Sequence, residues 1–189
     1  MSKSVEIIKI AGSTTTRPDF KAVAPRRRPH VQAVGENPRM RISAKADYAV
    51  RAAVGLALAG ETARAEQIAT AHAIPLKFLE RILYDLRRAG MVASRRGPEG
   101  GYLLARPPEE ITLADVIRAV DGPLADVHGQ APEAVSYEGD LEALQHVWIA
   151  VRASLRAVLE QVTIADLAAG RLPESVEALT RAPGSWERR

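Results

Sequence analysis

Six cationic side chains, Lys77, Arg81, Arg87, Arg88, Arg95 and Arg96, fall within one twenty-residue stretch that also holds Glu80 and Tyr84. A guanidinium can fork onto the acceptor edge of guanine or pair with a phosphate, and an ammonium neutralises a phosphate as a point charge. A carboxylate such as Glu80 can accept from a cytosine amino group. The arrangements of residues that catalysis needs do not stand out. The chain has no cysteine, which removes thiolate nucleophiles, disulfides and thiolate-held metals. Its four histidines, His30, His72, His128 and His146, lack metal-ligand spacing. No Ser-His-Asp order or paired-carboxylate motif stands out, and Gly97–Gly101 is not followed by the Lys-Ser/Thr of a phosphate loop. The chemistry on offer is recognition, with no enzyme activity, metal or cofactor expected.

Charge is sorted along the chain. Residues 1–39 hold eight basic against three acidic residues, and 77–106 hold seven against three, whereas 107–189 hold seven against fourteen. A basic middle and an acidic end suit a molecule that meets phosphate on one face only.

The elements that must position these side chains are mostly helical. The 47% hydrophobic residues are largely Ala, Leu, Val and Ile, and only 4% of the chain is aromatic, a balance that favours helix. Ser43 can cap a helix running to about Ala59, closed by Gly60, and a short second helix spans Glu66 to Ala73. Pro75 opens a third helix, to Ala89, with Leu79, Ile82, Leu83 and Leu86 on one stripe. Gly90 ends it. Met91–Arg96 and Tyr102–Arg106 then read as two strands around a Gly-Pro-Glu-Gly-Gly turn. Thr112 and Asp115 form a capping box for a fourth helix, with Ile111 and Val116 placed as a staple, and Asp121-Gly122-Pro123 stops it.

After a loop at 123–139, Leu141, Leu144, Trp148, Val151, Leu155, Val158 and Val162 step by three and four, the seam of a long helix that buries against a partner helix. Thr163 to Leu167 starts a short terminal helix, and residues 169–189 read as a frayed tail. The expected fold is mainly α with a small β wing: a winged helix-turn-helix at 40–122, then a dimerisation helix and short terminal helix at 140–168. Residues 1–39, with Pro-Arg-Arg-Arg-Pro and no helical period, read as a flexible basic leader and a candidate start-site artefact, since Met40 opens a segment that reads as a complete domain. No stretch reaches the about 18 apolar residues of a membrane span, and no secretory signal is visible, which makes the cytoplasm the expected compartment.

Met40-Arg41-Ile42-Ser43-Ala44-Lys45-Ala46-Asp47-Tyr48-Ala49-Val50-Arg51, Leu79-Glu80, Leu86-Arg87-Arg88-Ala89-Gly90 and Arg96-Gly97-Pro98-Glu99-Gly100-Gly101-Tyr102 closely resemble the Rrf-two family of bacterial transcription regulators. The resemblance runs over about residues 40–168. It implies that Arg96 on the wing probes the minor groove, that Glu80 takes part in base readout, and that the long helix crosses its twin in a dimer. Cluster-bearing members carry three cysteines in the loop before that helix; here the loop has none, so iron–sulfur sensing is expected to be absent. Asp47 occupies a position that supplies a carboxylate ligand in some members, and alone it cannot hold a cluster.

These readings converge on a homodimeric regulator, expected to be a repressor, bound to double-stranded DNA at a near-palindromic operator. Lys77, Glu80, Arg81, Tyr84, Arg87, Arg88, Arg95, Arg96, Gly97 and Tyr102 form its DNA face. Its signal would be a small molecule, a partner protein or its own concentration. The rival reading is a protein-interaction adaptor that keeps the winged helix but no longer binds DNA.

Overall fold

The computed structural model describes residues 42–187; the basic leader lies outside them. Seven helices and one hairpin follow in the order α1 Ala44–Ala59, α2 Ala65–Ala71, α3 Leu76–Arg88, β1 Val92–Arg95, β2 Gly101–Leu104, α4 Leu113–Asp121, α5 Ala143–Leu159, α6 Ile164–Ala168 and α7 Glu174–Arg181. Short 3-10 turns lie at Pro108–Glu110, Pro132–Ala134 and Gly139–Leu141.

α1 begins where the Ser43 hydroxyl accepts from the Ala46 N–H, and it ends at Gly60, whose φ of 65° is left-handed. Its buried face is made of small residues, Ala46, Ala49, Ala52 and Ala53, closed by Leu56. So narrow a face lets α3, α4 and α6 all pack close to α1. Leu79, Ile82, Leu83 and Leu86 of α3 are fully buried against it, each burial contributing about 1.5–3 kcal/mol. Polar ties complete the packing: Lys45 pairs with Asp85 at 2.8 Å and donates to the Val120 carbonyl, which joins α1 to α3 and α4.

The hairpin is antiparallel, with Val92 opposite Leu104 and Arg95 opposite Gly101. A third strand's worth of pairing comes from one residue before α2. The Ala63 N–H donates to the Tyr102 carbonyl at 2.9 Å, and the Tyr102 N–H returns to Ala63 at 2.8 Å. Gly101 is required by this approach, because a Cβ there would sit 2.4 Å from the Ala63 carbonyl oxygen. Gly101→Ala is expected to break the bridge and cost about 1–3 kcal/mol, two hydrogen bonds at a typical net value. A urea titration unchanged from the parent would show that the wing needs no such docking.

α4 and α6 start side by side. Thr112 with Asp115 and Thr163 with Asp166 form two capping boxes, and the two threonines face each other across a bridge. The Leu113 N–H donates to the Val162 carbonyl at 2.8 Å and the Ile164 N–H to the Ile111 carbonyl at 2.9 Å. Ile111, Val116 and Ile164 are fully buried behind them. Hydrogen bonds from the Thr163 hydroxyl and backbone N–H hold the Asp166 carboxyl below its ordinary value. The stability it contributes is present above the ordinary carboxylate range and is lost as pH falls through the lowered value. Asp166→Asn should therefore flatten the acid side of a melting-temperature profile; an unaltered profile would mean that the carboxylate is not used.

Three sequence expectations change. The seam does not run from Leu141 to Val162: Leu141 lies in a 3-10 turn before the helix and is 59% exposed, while Val162 follows the helix end and is buried in its own protomer. The Thr163 cap turns the chain there, so the three-and-four spacing continues in the sequence but not on one helix. The segment 140–168 is likewise not a separate module, because α6 belongs to the core around α1. The tail is not frayed at its start: α7 buries Val176, and the Ser175 hydroxyl donates to the Gln161 side chain just past α5.

Candidate nucleic-acid interface

On α3, side chains at about 100° per residue put the buried stripe on one side and Lys77, Arg81, Tyr84 and Arg88 on the other. Glu80 and Arg87 lie on a flank. All six are exposed. The Tyr84 ring is flanked by the Arg87 and Arg88 guanidiniums, each 5.9 Å from its centroid, a geometry that restrains two long side chains against their own entropy. Arg87 donates to the Ser94 hydroxyl at 3.4 Å, which sets β1 beside the end of α3. Arg95, Arg96 and Gly97 stand exposed at the hairpin mouth. Gly97 has φ 114°, and the tip is held from below by Arg64, which donates to the Pro98 carbonyl at 2.7 Å.

The ion pairs divide the molecule. Among the described residues, Lys77, Arg87, Arg88, Arg95 and Arg96 pair with no carboxylate, and Arg81 reaches Asp85 only at 3.8 Å, while Lys45 holds that carboxylate from the core side. In the acidic half, Arg118 pairs with Glu160 and Asp115, Arg152 with Glu133, Arg156 with Glu160 and Arg181 with Glu177. The carboxyls of Glu133 and Glu160 are held below their ordinary values, Glu133 by a backbone hydrogen bond and Arg152, Glu160 by Arg118 and Arg156. Most described arginines of the acidic half are neutralised within it; most cations of α3 and the wing, among the described residues, are left available to a polyanion.

Two further features qualify the sequence reading. Tyr102, expected on the DNA face, is half-buried against the core, so its ring docks the wing. Phe78, absent from the expected DNA face, is 60% exposed on the first turn of α3. An apolar residue just off the 79/82/83/86 stripe is its only sequence signal. Arg64 gives no sequence signal at all, since its role is to grip a carbonyl distant along the chain.

On α5, Leu144, Trp148, Val151, Leu155 and Val158 are half-buried and Val147 is exposed; none of the helix's side chains is fully buried. Trp148 spends its indole N–H on the Tyr137 hydroxyl at 3.1 Å.

The Rrf2 family profile, described as an iron-dependent transcriptional regulator, matches residues 42–170. A Mycobacterium tuberculosis protein named as an HTH-type transcriptional regulator is 52% identical over 142 residues, 74% of this chain and 88% of that protein. The regulator CymR of Bacillus subtilis is 34% identical over 132 residues, 68% of this chain and 90% of CymR. Its solved structure, described as that of the global cysteine regulator, superposes with a TM-score of 0.59 at 32% identity, covering 69% of this chain and 97% of the other. The structure of IscR from T. potens gives 0.56 at 30% identity, covering 73% and 90%.

An iron–sulfur cluster does not fit the residues of this member. The 123–140 segment has no thiolate, and among the described residues no three His, Asp or Glu side chains converge as a metal site. The cavity beside the segment is lined by Arg118, Arg152 and Arg156 with Asp126 and Glu133, and offers neither a thiolate nor an imidazole. Asp47 is committed to Arg51 at 2.6 Å. A winged helix-turn-helix with a free cationic face, matched along most of its described length, places the chain in the Rrf2 family of transcriptional regulators.

Proposed function

We propose that the protein is a homodimeric repressor that reads a near-palindromic operator, with α3 of each protomer in a major groove and the wing beside it. The observation that carries this reading is the set of cations on α3 and the wing that, among the described residues, pair with no carboxylate, against an acidic half whose described arginines are mostly paired. Lys77, Glu80 and Arg81 on the first turns contact base edges; Tyr84, Arg87 and Arg88 seat the helix on phosphates; Arg95, Arg96 and Gly97 follow the backbone into the minor groove. The division of labour is 40–122 for DNA and α5 for the second protomer, since its apolar side chains are incompletely covered by their own chain. A place in the cytoplasm, beside the chromosome, follows from that role.

A signal carried by a small molecule or a partner protein would act where α4 meets α5. A cavity of about 310 Å³ lies there between the two helices and the 123–131 loop. The adaptor alternative gains no support from a face most of whose cations, among the described residues, pair with no carboxylate.

Lys77→Ala and Arg88→Ala test the reading. Each should weaken binding to all duplexes about equally and lower the slope of log affinity against log salt by about 1. Salt slopes equal to that of the parent protein would remove these residues from the phosphate contacts.

A further inference from the structure

We propose that Phe78 is a specificity residue that reads thymine, its ring packing on the C5 methyl group in the major groove. This rests on the operator-binding function proposed above and adds a base-reading contact to it.

Phe78 is an apolar ring exposed where a soluble protein gains nothing from exposing it. It lies between Lys77 and Leu79 on the first turn of α3, the turn whose side chains penetrate furthest into a groove. The ring is nevertheless positioned. Its edge meets Tyr48 of α1, with centroids 6.5 Å apart and planes at 64°. Tyr48 is covered in turn by the Arg51 guanidinium, 4.8 Å from its centroid. Arg51 is fixed by Asp47 at 2.6 Å and by the His72 carbonyl, just before α3, at 2.9 Å. A chain of contacts therefore holds Phe78 in place while leaving most of its surface open. A ring needed only to dock α3 would be covered, as Leu79 and Ile82 are.

The surroundings narrow what it can meet. Lys77 beside it and Arg81 one turn on carry the charge that draws α3 to phosphate and guanine. Among the groups a major groove presents, the thymine methyl is the apolar one, and an aromatic edge or face is a suitable partner for it.

Selection supplies the operator for the test. The full-length protein selects its best duplex from a randomised pool, and each thymine of that duplex is then replaced singly by deoxyuridine, which removes the methyl alone. One thymine in each half-site should prove sensitive, with affinity falling about threefold to tenfold, the value of burying one methyl with some loss of packing. Phe78→Ala should bind the thymine duplex and the uracil duplex alike. Phe78→Leu, which keeps an apolar side chain on α3, should show reduced discrimination and guards against a variant that fails to fold. A protein that selects a duplex in a salt-sensitive manner but is indifferent to every thymine methyl would overturn this inference and leave the operator function standing. So would discrimination that persists undiminished in both Phe78 variants, or an equal loss on both duplexes without any methyl effect in the parent, which would assign the ring to deoxyribose. Absence of binding to any duplex would defeat both proposals.

Discussion

Val147→Glu is expected to convert a dimer into monomers and to lower operator affinity by roughly 10²–10⁴-fold, the advantage that two linked half-site contacts hold over one. Val147 is 50% exposed on α5, so a glutamate there stays in water in an isolated protomer and leaves the fold undisturbed. In a dimer through α5 the same carboxylate would be buried against apolar neighbours, where an unpaired charge costs several kcal/mol. Sedimentation equilibrium and a parallel operator titration read the two consequences, and a variant that remains dimeric would take this face of α5 out of the interface. Trp148→Glu provides the comparison. Its indole already serves the protomer through Tyr137, so that variant should also melt earlier, whereas Val147→Glu should melt as the parent monomer does.

Arg96→Ala should weaken operator binding by about 1–3 kcal/mol, a fivefold to 150-fold loss, without changing the dimer. Among the described residues Arg96 pairs with no carboxylate, and it is exposed, so its removal takes no burial from the core. The wing that carries it is firm at its base through the Ala63–Tyr102 bridge and at its tip through Arg64, and little ordering remains to be done when DNA arrives. A guanidinium in a narrow minor groove responds to groove width. The parent should therefore prefer A·T-rich flanks over G·C-rich ones, and Arg96→Ala should lose that preference. Arg95, which pairs with Gly101 in the strand, should matter less. Equal affinities of the Arg96 variant and the parent on both flanks would leave the wing without a role in recognition.

Much of this architecture is written locally in the chain. Ser43, Gly60, Thr112 with Asp115 and Thr163 with Asp166 act on backbone groups within a few residues, so their meaning survives without a fold. The α3 stripe is equally local, because the buried face of a long amphipathic helix is set by its period. The third strand contact is invisible in the sequence, since Ala63 contributes a single bridging residue with no alternation to betray it. Val162 is misplaced by spacing because spacing alone cannot tell where a helix stops. α7 stays hidden because its short apolar pattern gives little signal before Val176 finds its burial site. Within the candidate site the cationic residues are legible as types. Which of them are neutralised is less so: the Arg81–Asp85 pair has a readable i,i+4 spacing, but that Lys45 of α1 already holds Asp85 depends on the packing of two helices.

The stitched start of α4 and α6 has a mechanical meaning. α5 leaves the body after α4 and comes back to it at Val162, where the chain is fastened to Leu113. Near its start Gln145 donates to the Glu133 carbonyl, and midway along it Arg152 pairs with the Glu133 carboxylate, both contacts being to the preceding loop. The helix is thus fastened to the body at its C-terminal end, where Arg118 of α4 also pairs with Glu160, and to its own preceding loop through Gln145 and Arg152. Two copies joined through such helices, as proposed above, would act as a caliper whose opening is set by that fastened end, and the interval between the two half-sites they grasp would have to match it.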